Sequence, residues 1–407
     1  MKAWRLGVCA ILFLGLSFVY QEAVAQINIK ELDGRKSGDL SGKRNLLHPA
    51  VPLLSIAPDS RSSAMGDAGV ASSPDAFSQH WNSAKYAMLP KQWGAALSYI
   101  PWLRKLTNEI NLAYLVGYYR IDKMQTLSTS LRYFSMGQMN FTDEQGNKLS
   151  SHNPNEFAFD VAYSRLFLKN FSGAVAFRVI RSDLTGGFAQ QNAVGTNKAG
   201  MSYAADIALY YQEQLKLGAL PAQYGLGLTI TNIGSKLSYN DVYNNFIPIT
   251  LRLGGRFSAD LDNYNRLSAE LDVSKLLIPT PPTYKANGAI DKGMNPDVPV
   301  ISGMLQSFYD APGGAVEEFQ EIYWGFGAEY VYANLLAIRG GYFYEHENKG
   351  GRQYFTLGVG VTYNVIGLDA SYIIPSAGFN SPLANTLRFS LMVNFDQQKG
   401  SGRRRRG

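Results

Sequence analysis

From Trp93 onward the chain alternates apolar and polar residues with a period of two, in fourteen separate segments. In NTLRFSLMVNF (Asn385 to Phe395), Leu387, Phe389, Leu391, Val393 and Phe395 share one face, and Arg388, Ser390, Met392 and Asn394 share the other. Side chains of an extended chain point alternately to its two faces, so this period specifies β-strands. RLSAELDVS sets Leu267, Ala269, Leu271 and Val273 against Ser268, Glu270, Asp272 and Ser274. QTLSTSLRYF sets Leu127, Thr129, Leu131 and Tyr133 against Ser128, Ser130 and Arg132. AIRGGYFYEH sets Ile338, Gly340, Tyr342 and Tyr344 against Arg339, Gly341, Phe343 and Glu345. The predicted strands are 93–101, 108–121, 125–137, 156–169, 171–182, 200–214, 220–233, 248–260, 264–277, 318–333, 335–347, 351–364, 365–374 and 385–395.

Alternation fits a sandwich with its polar face in water equally well. The connections decide between the two. Short links (DKM, Lys169-Asn170, LDNY, Ala333-Asn334, Asn364-Val365) alternate with longer ones such as QMNFTDEQGNKLSSHNPN and a stretch of some forty residues from Pro279. Short turns on one side and long loops on the other, with an even strand count, are the pattern of a transmembrane barrel. Its apolar face meets lipid. Its polar face, carrying Arg132, Asp160, Arg252, Glu270, Asp272, Glu329, Arg339 and Arg388, lines the lumen. Aromatics near strand ends (Tyr118, Tyr119; Tyr323, Trp324; Tyr342, Tyr344) read as interfacial girdles. The expected fold is all-β: a 14-stranded antiparallel transmembrane β-barrel over 93–395.

The chain starts MKAWRLGVCAILFLGLSFVYQEAVA. Lys2 and Arg5 precede an apolar run from Leu6 to Tyr20, and Ala23-Val24-Ala25 fits a cleavage site, so 1–25 reads as a signal peptide. The single cysteine, Cys9, lies within it, which leaves no disulfide, thiolate nucleophile or cysteine-ligated metal in the mature chain. The formal charge of +6 comes largely from the terminal RRRRG and the signal peptide. The body is near neutral, and nucleic acid is not an expected partner. Residues 26–49 are an N-terminal extension, and 396–407 a basic tail expected on the periplasmic side.

A barrel of fourteen strands is wider than its own side chains can fill. The stretch SIAPDSRSSAMGDAGVASSPDAFSQHWNSAKYA, Ser55 to Ala87, has neither helical nor strand period and is rich in small residues. Residues 50–92 are therefore expected to form a plug, with Gly66, Asp67, Gly69, Trp81 and Asn82 at its turns and close contacts, and with Pro49, Pro52 and Pro58 favouring an extended start. Arg132, Arg252, Glu270, Asp272, Glu329, Arg339 and Arg388 are expected to form an ion-pair network that braces plug and barrel.

No catalytic constellation is legible. His48, His80, His152 and His346 have no metal-ligand spacing, and no nucleophile elbow is present, so no catalytic residue, metal or cofactor is expected. Gly225, Gly227, Gly234, Gly358 and Gly360 sit inside strands with no helix after them, which reads as close packing rather than a nucleotide loop. The longest loop, Pro279 to Gln320, carries Ile301, Met304, Leu305, Phe308 and Tyr309 at helical spacing. That apolar face either covers the barrel mouth or binds a protein.

The stretch RSSAMGDAGVASSPDAFSQHWNSAKYA resembles the N-terminal hatch of the FadL-type fatty-acid transporter family, with Ser83 and Lys85 where that family has proline and glycine. The fuller string from Val51 to Ala87, with its Ile-Ala-Pro-Asp, Met-Gly-Asp-Ala-Gly-Val-Ala and His-Trp-Asn elements, is similar to the PorV (LptO) branch of that superfamily, which acts in type IX secretion. The resemblance implies an outer-membrane shuttle. It would receive cargo by C-terminal sorting domains from the translocon barrel and pass it to a sortase-like attachment complex, in contact with outer-membrane lipid and lipopolysaccharide. Within the same resemblance, a transporter of hydrophobic small molecules and a lipopolysaccharide O-deacylase stay open as alternatives.

Overall fold

The computed structural model describes residues 44–102, 109–142, 147–184, 186, 198–240, 243–376 and 386–395. The signal peptide, most of the N-terminal extension and the basic tail lie outside the described residues.

Fourteen antiparallel strands close into one barrel. They are β1 (Trp93–Pro101), β2 (Ile110–Arg120), β3 (Gln125–Met136), β4 (Asn155–Leu168), β5 (Phe171–Asp183), β6 (Gly200–Leu217) and β7 (Leu220–Gly234). They continue with β8 (Thr250–Asp260), β9 (Asn265–Leu276), β10 (Ile322–Tyr332), β11 (Leu336–Tyr344), β12 (Gln353–Tyr363), β13 (Ile366–Pro375) and β14 (Leu387–Phe395). Each strand pairs with its neighbours in sequence, and β14 closes on β1 in the register Trp93↔Phe395. All fourteen predicted segments are strands. The segment predicted from 318 needs correction: β10 starts at Ile322, and Ala315–Gln320 forms a short helix. Gly313 and Gly314 break the preceding loop, and Glu317 and Glu318 favour the positive end of a helix in its first turn.

The period of two sorts the faces as expected. Leu271 is 44% exposed, whereas Asp272, the next residue, is 2% exposed. Among the aromatic pairs, Tyr119, Trp324, Tyr342 and Tyr344 share the outward parity. Tyr118 and Tyr323 do not. Tyr118 turns inward onto Tyr86, with ring centroids 5.5 Å apart, and Tyr323 onto Phe343 at 5.9 Å. Adjacent residues of a strand cannot both face lipid.

One end of the barrel carries tight turns. Ala333 and Asn334 both have φ 53°, the left-handed pair of a two-residue hairpin turn whose twist matches the strands. Asp122 and Asp262 build two equivalent turns, each accepting from the backbone N–H groups two and three residues on. The other end carries the long loops. These hold a hairpin extension (Met139–Thr142 with Lys148–His152), a small hairpin (Thr283–Tyr284 with Ile290–Lys292) and two short helices, Val300–Gln306 and Ala315–Gln320.

The lumen is filled by the segment before β1. From Val51 to Leu89 nearly every residue is buried. Only single turns of helix occur there, α1 (Ser60–Ser63) and α2 (Ser78–Trp81), besides 3-10 turns at Pro52–Ser55 and Ser83–Met88. Pro52 opens a helical turn rather than extending the chain, because its fixed φ suits a first helical position. Towards the long-loop end the plug contributes Val51, Leu53 and Leu54 to an apolar core shared with Ile100, Leu112, Phe134, Ile180 and Ile247, which Phe77 and Tyr86 continue deeper into the lumen beside Tyr114 and Tyr118. Part of the lumen is thus packed like a protein interior.

Candidate functional site: the plugged lumen and the long-loop rim

The plug meets the wall backbone to backbone. Residues 64–71 lie across the inward positions Gly227, Gly254, Gly325, Gly327, Gly341 and Gly358. A Cβ at Gly341 would stand 2.2 Å from Gly66 N, one at Gly327 2.2 Å from Met65 Cβ, and one at Gly227 2.4 Å from Val70 O. No side chain fits there, so the glycines of these strands form a bed for the plug. Gly66 itself takes φ 70° and donates its N–H to Thr356 Oγ1 at 2.9 Å.

Polar groups fix the plug's orientation. Asp272 Oδ2 accepts the N–H groups of Gly69 (2.7 Å) and Val70 (2.9 Å), and Glu270 Oε1 accepts that of Ala71 (3.1 Å). Asp67 accepts from Tyr354 OH at 2.6 Å and stands 3.7 Å from Arg388. Trp81 donates its indole N–H to Asp59 at 2.5 Å, and its ring faces Gly69. Asn82 donates to Val70 O within the plug (3.1 Å) and to Leu209 O on the wall (2.9 Å).

The predicted lumen charges fall into separate groups rather than one network. Glu329 and Arg339 join Arg61 and Asp369: Arg61 donates to both oxygens of Glu329, and Arg339 bridges Glu329 (2.6 Å) and Asp369 (2.5 Å). Asp160 and Asp206 both take Arg178, at 2.7 and 2.9 Å. Arg132 stacks on Tyr114, with Cζ 5.1 Å from the ring centroid, and Arg252 on Trp81 at 5.6 Å. Neither has a carboxylate within ion-pair distance among the described residues.

Sequence reasoning missed Arg61, Arg178 and Lys85. Lys85 is fully buried, and its ammonium donates to Gly69 O and Ser72 Oγ, each at 2.7 Å. It pins the plug's own turn. The available signal was isolation: Arg61 and Lys85 are the two basic residues in a stretch of small ones, where a charge has few other uses.

On the short-turn side of the plug the lumen opens as a vestibule of about 870 Å³, lined by Arg61, Gln223, Arg256, Ser258, Glu329 and Asp369 among others. Its wall is mixed, with charged and polar side chains outweighing apolar ones such as Leu215, Leu335 and Met392. A greasy conduit of the kind that holds hydrophobic ligands is predominantly apolar.

At the opposite end the longest loop is latched to the rim. Lys275 binds Glu318 (2.9 Å) and Glu321 (2.5 Å), and Lys349 binds Glu317 (2.7 Å) and Glu321 (2.9 Å). Asp310 accepts from Thr280 N (3.1 Å) and Gln306 Nε2 (3.2 Å), and burial pushes its carboxyl up to about 6. Of the predicted apolar face, Met304 turns into the core with its neighbour Gly303, which packs on Phe246. Ile301, Leu305, Phe308 and Tyr309 point outward, Leu305 at 62% exposure, and Val316 and Phe319 of the next helix extend the patch. The helix ends at Gln306, so Phe308 and Tyr309 follow it on a turn.

Among the described residues no group of three or more His, Cys, Asp or Glu side chains could hold a metal ion. The model of a protein family described as "Type IX secretion system protein PorV" matches residues 40–283. No curated protein matches the sequence. Among solved structures, the chain is similar to the Pseudomonas putida toluene transporter TodX (12% identity, 83% of this chain and 98% of that one, TM-score 0.47). It is also similar to the Ralstonia pickettii toluene transporter TbuX (10% identity, 83% and 98% covered, TM-score 0.43). A Pseudomonas aeruginosa FadL homologue gives 10% identity, 87% and 99% covered, and a TM-score of 0.41.

Proposed function

The chain belongs to the PorV family of type IX secretion system proteins, and from that premise we propose that it works in the outer membrane as a non-enzymatic shuttle. It takes cargo by C-terminal sorting domains from the translocon barrel and hands it to the sortase-like attachment complex, with its long loops outside the cell. The observation that carries this reading is the rim: Ile301, Leu305, Phe308 and Tyr309 stay exposed beside Val316 and Phe319, on a loop that buried ion pairs hold in place. A loop serving only to cover the mouth would turn those side chains inward. A latched loop with aromatic and aliphatic groups facing out has the make-up of a protein-binding patch.

Passage of hydrophobic molecules fits the lumen less well. The plug backbone rests on wall glycines with no gap for a side chain, and the vestibule beneath it is polar. A deacylase would need an activated hydroxyl, and among the described residues no serine hydroxyl is hydrogen-bonded to a histidine.

The test is the double substitution Leu305→Ser with Phe308→Ser. Binding energy in such patches concentrates in a few anchors, so losing two weakens binding by roughly two orders of magnitude or more. Export or surface attachment of cargo is expected to fail, while barrel level and heat-modifiability stay unchanged. Normal export by this variant would remove the patch from the binding role. Co-isolation of surface proteins sharing a C-terminal domain with the wild-type barrel, and not with the variant, completes the assay.

A further inference from the structure

We infer that the vestibule on the short-turn side holds a binding subsite for a small oxyanion, a phosphate or carboxylate group, centred on Arg256.

The vestibule has two unlike walls. On one, the basic groups are matched: Arg61 has Glu329 and Asp75, and Arg339 has Glu329 and Asp369. On the other, β7 to β9, Arg256 lines the cavity at 7% exposure with no carboxylate in ion-pair contact, and its Nε has no hydrogen-bond partner. Its cross-strand neighbour Glu270 is not in ion-pair contact with it, and turns Oε1 to the N–H of Ala71 in the plug. Asp260, the nearest inward acid on the same strand, is held by Arg266 at 2.5 Å. A guanidinium so deeply buried normally has a partner, since burying an unpaired charge is costly.

Groups that can donate lie beside Arg256 on the same wall. Gln223, which lines the cavity, accepts from Arg256 Nη2 through its carbonyl oxygen and orients the guanidinium, so its amide NH2 is not used on Arg256. Ser258 lies opposite Gln223 in the ladder and receives the hydroxyl proton of Ser268 at 2.9 Å, so its own proton is free to donate. Gln214 and Lys216 complete that wall towards the opening. A guanidinium fork with a hydroxyl and an amide beside it matches the planar or tetrahedral oxygens of a carboxylate or phosphate. The plug closes the far side, so the ligand enters and leaves by the short-turn end. The inference does not depend on the secretion role of the rim.

The test uses full-length protein purified in phosphate-free detergent buffer. It is titrated with inorganic phosphate and separately with acetate, read by calorimetry and by the heat-unfolding midpoint. Saturable binding of either supports the subsite. Phosphate alone points to a phosphate ligand, and acetate alone to a carboxylate one. Arg256→Gln is expected to weaken binding about tenfold or more, and Arg256→Lys to retain part of it, since a lysine keeps the charge but loses the fork. Arg181→Gln, at the opposite end of the barrel and paired with Asp183, should bind like wild type. If Arg256→Gln does not fold, Ser258→Ala gives the same comparison with a smaller expected loss. No saturable binding by wild type, or equal binding by Arg256→Gln or Ser258→Ala and wild type, would overturn the inference.

Discussion

Arg61 of the plug and Glu329 of the wall face each other fork to fork, with Nε 3.1 Å from Oε2 and Nη2 3.0 Å from Oε1. They are 268 residues apart in sequence, and Arg339 leans on the same carboxylate from the next strand. One acid therefore joins the plug to two strands.

Glu329→Gln should loosen the plug. Removing one partner of a buried pair costs about 3–5 kcal/mol, because the remaining charges lose their match. The heat-modifiability midpoint is expected to fall, and the plug to become open to periplasmic protease. Replacing both Arg61 and Glu329 with apolar residues of similar volume should cost less than the two single changes together.

Gly341→Val should displace the plug, since even its Cβ would sit 2.2 Å from Gly66 N. Overpacking of a tight interior costs roughly 1–3 kcal/mol, and more where backbone is the obstacle. Cells should become sensitive to large antibiotics. Gly255→Ala, whose nearest neighbour is Leu226 Cδ2 at 3.9 Å, is the neutral control. Equal sensitivity of the two variants would contradict the glycine bed.

Leu271→Arg and Asp272→Asn separate the two faces of β9. An outward arginine near the membrane midplane costs on the order of 2–4 kcal/mol and should impair assembly. The amide at 272 keeps an oxygen for the N–H groups of Gly69 and Val70, so assembly should be nearly intact. Pulse-chase appearance of the folded band is the readout.

Protection of the loop 277–321 should depend on pH through Asp310. Its carboxyl is raised from 3.8 to about 6 in the folded loop, so the native state holds the proton more tightly than the unfolded one. Its contribution is fully present below pH 3.8 and is lost as pH rises through about 6. Proteolysis of this loop should be slower at acid than at neutral pH. Asp310→Asn should abolish that component of the difference.

Epitope tags should fix the orientation. Tags at 148–152 or 285–297 are expected to be labelled on intact cells, and a tag at the Lys169-Asn170 turn only after permeabilisation. Labelling of the turn on intact cells would invert the barrel.

The strands and their faces were legible because a period of two is a local property, visible within ten residues. Asp272 and Leu271 could be assigned opposite surroundings from parity alone. What an inward charge touches on the plug was not legible. Arg252 finds Trp81 and Glu329 finds Arg61 through the path of the plug, which no spacing records, whereas Arg339 opposite Glu329 and Arg132 opposite Tyr114 are hairpin neighbours fixed by register. Small residues told that the plug packs closely, and in-strand glycines such as Gly227 and Gly358 read as close packing too, but neither told that the two surfaces meet each other. The helix at Ala315–Gln320 was lost because it has only 6 residues, too few to show a helical period, and runs into β10 after the single residue Glu321. The inward turn of Met304 follows from Gly303 packing on Phe246, a contact between two loops.

Trp93 and Phe395, at the first and last strands, stack with ring centroids 4.2 Å apart and close the cylinder. Contacts so distant along the chain carry the largest loop-closure entropy and form late. The plug precedes β1 and is bonded to strands from β3 round to β14, on both sides of that seam. Entry afterwards would have to pass the short-turn opening and fit a bed with no room for a side chain. The expected course of biogenesis is therefore that the wall curls around the plug as around a mandrel, so that a chain lacking residues 50–92 would reach its final strand with nothing to shape it.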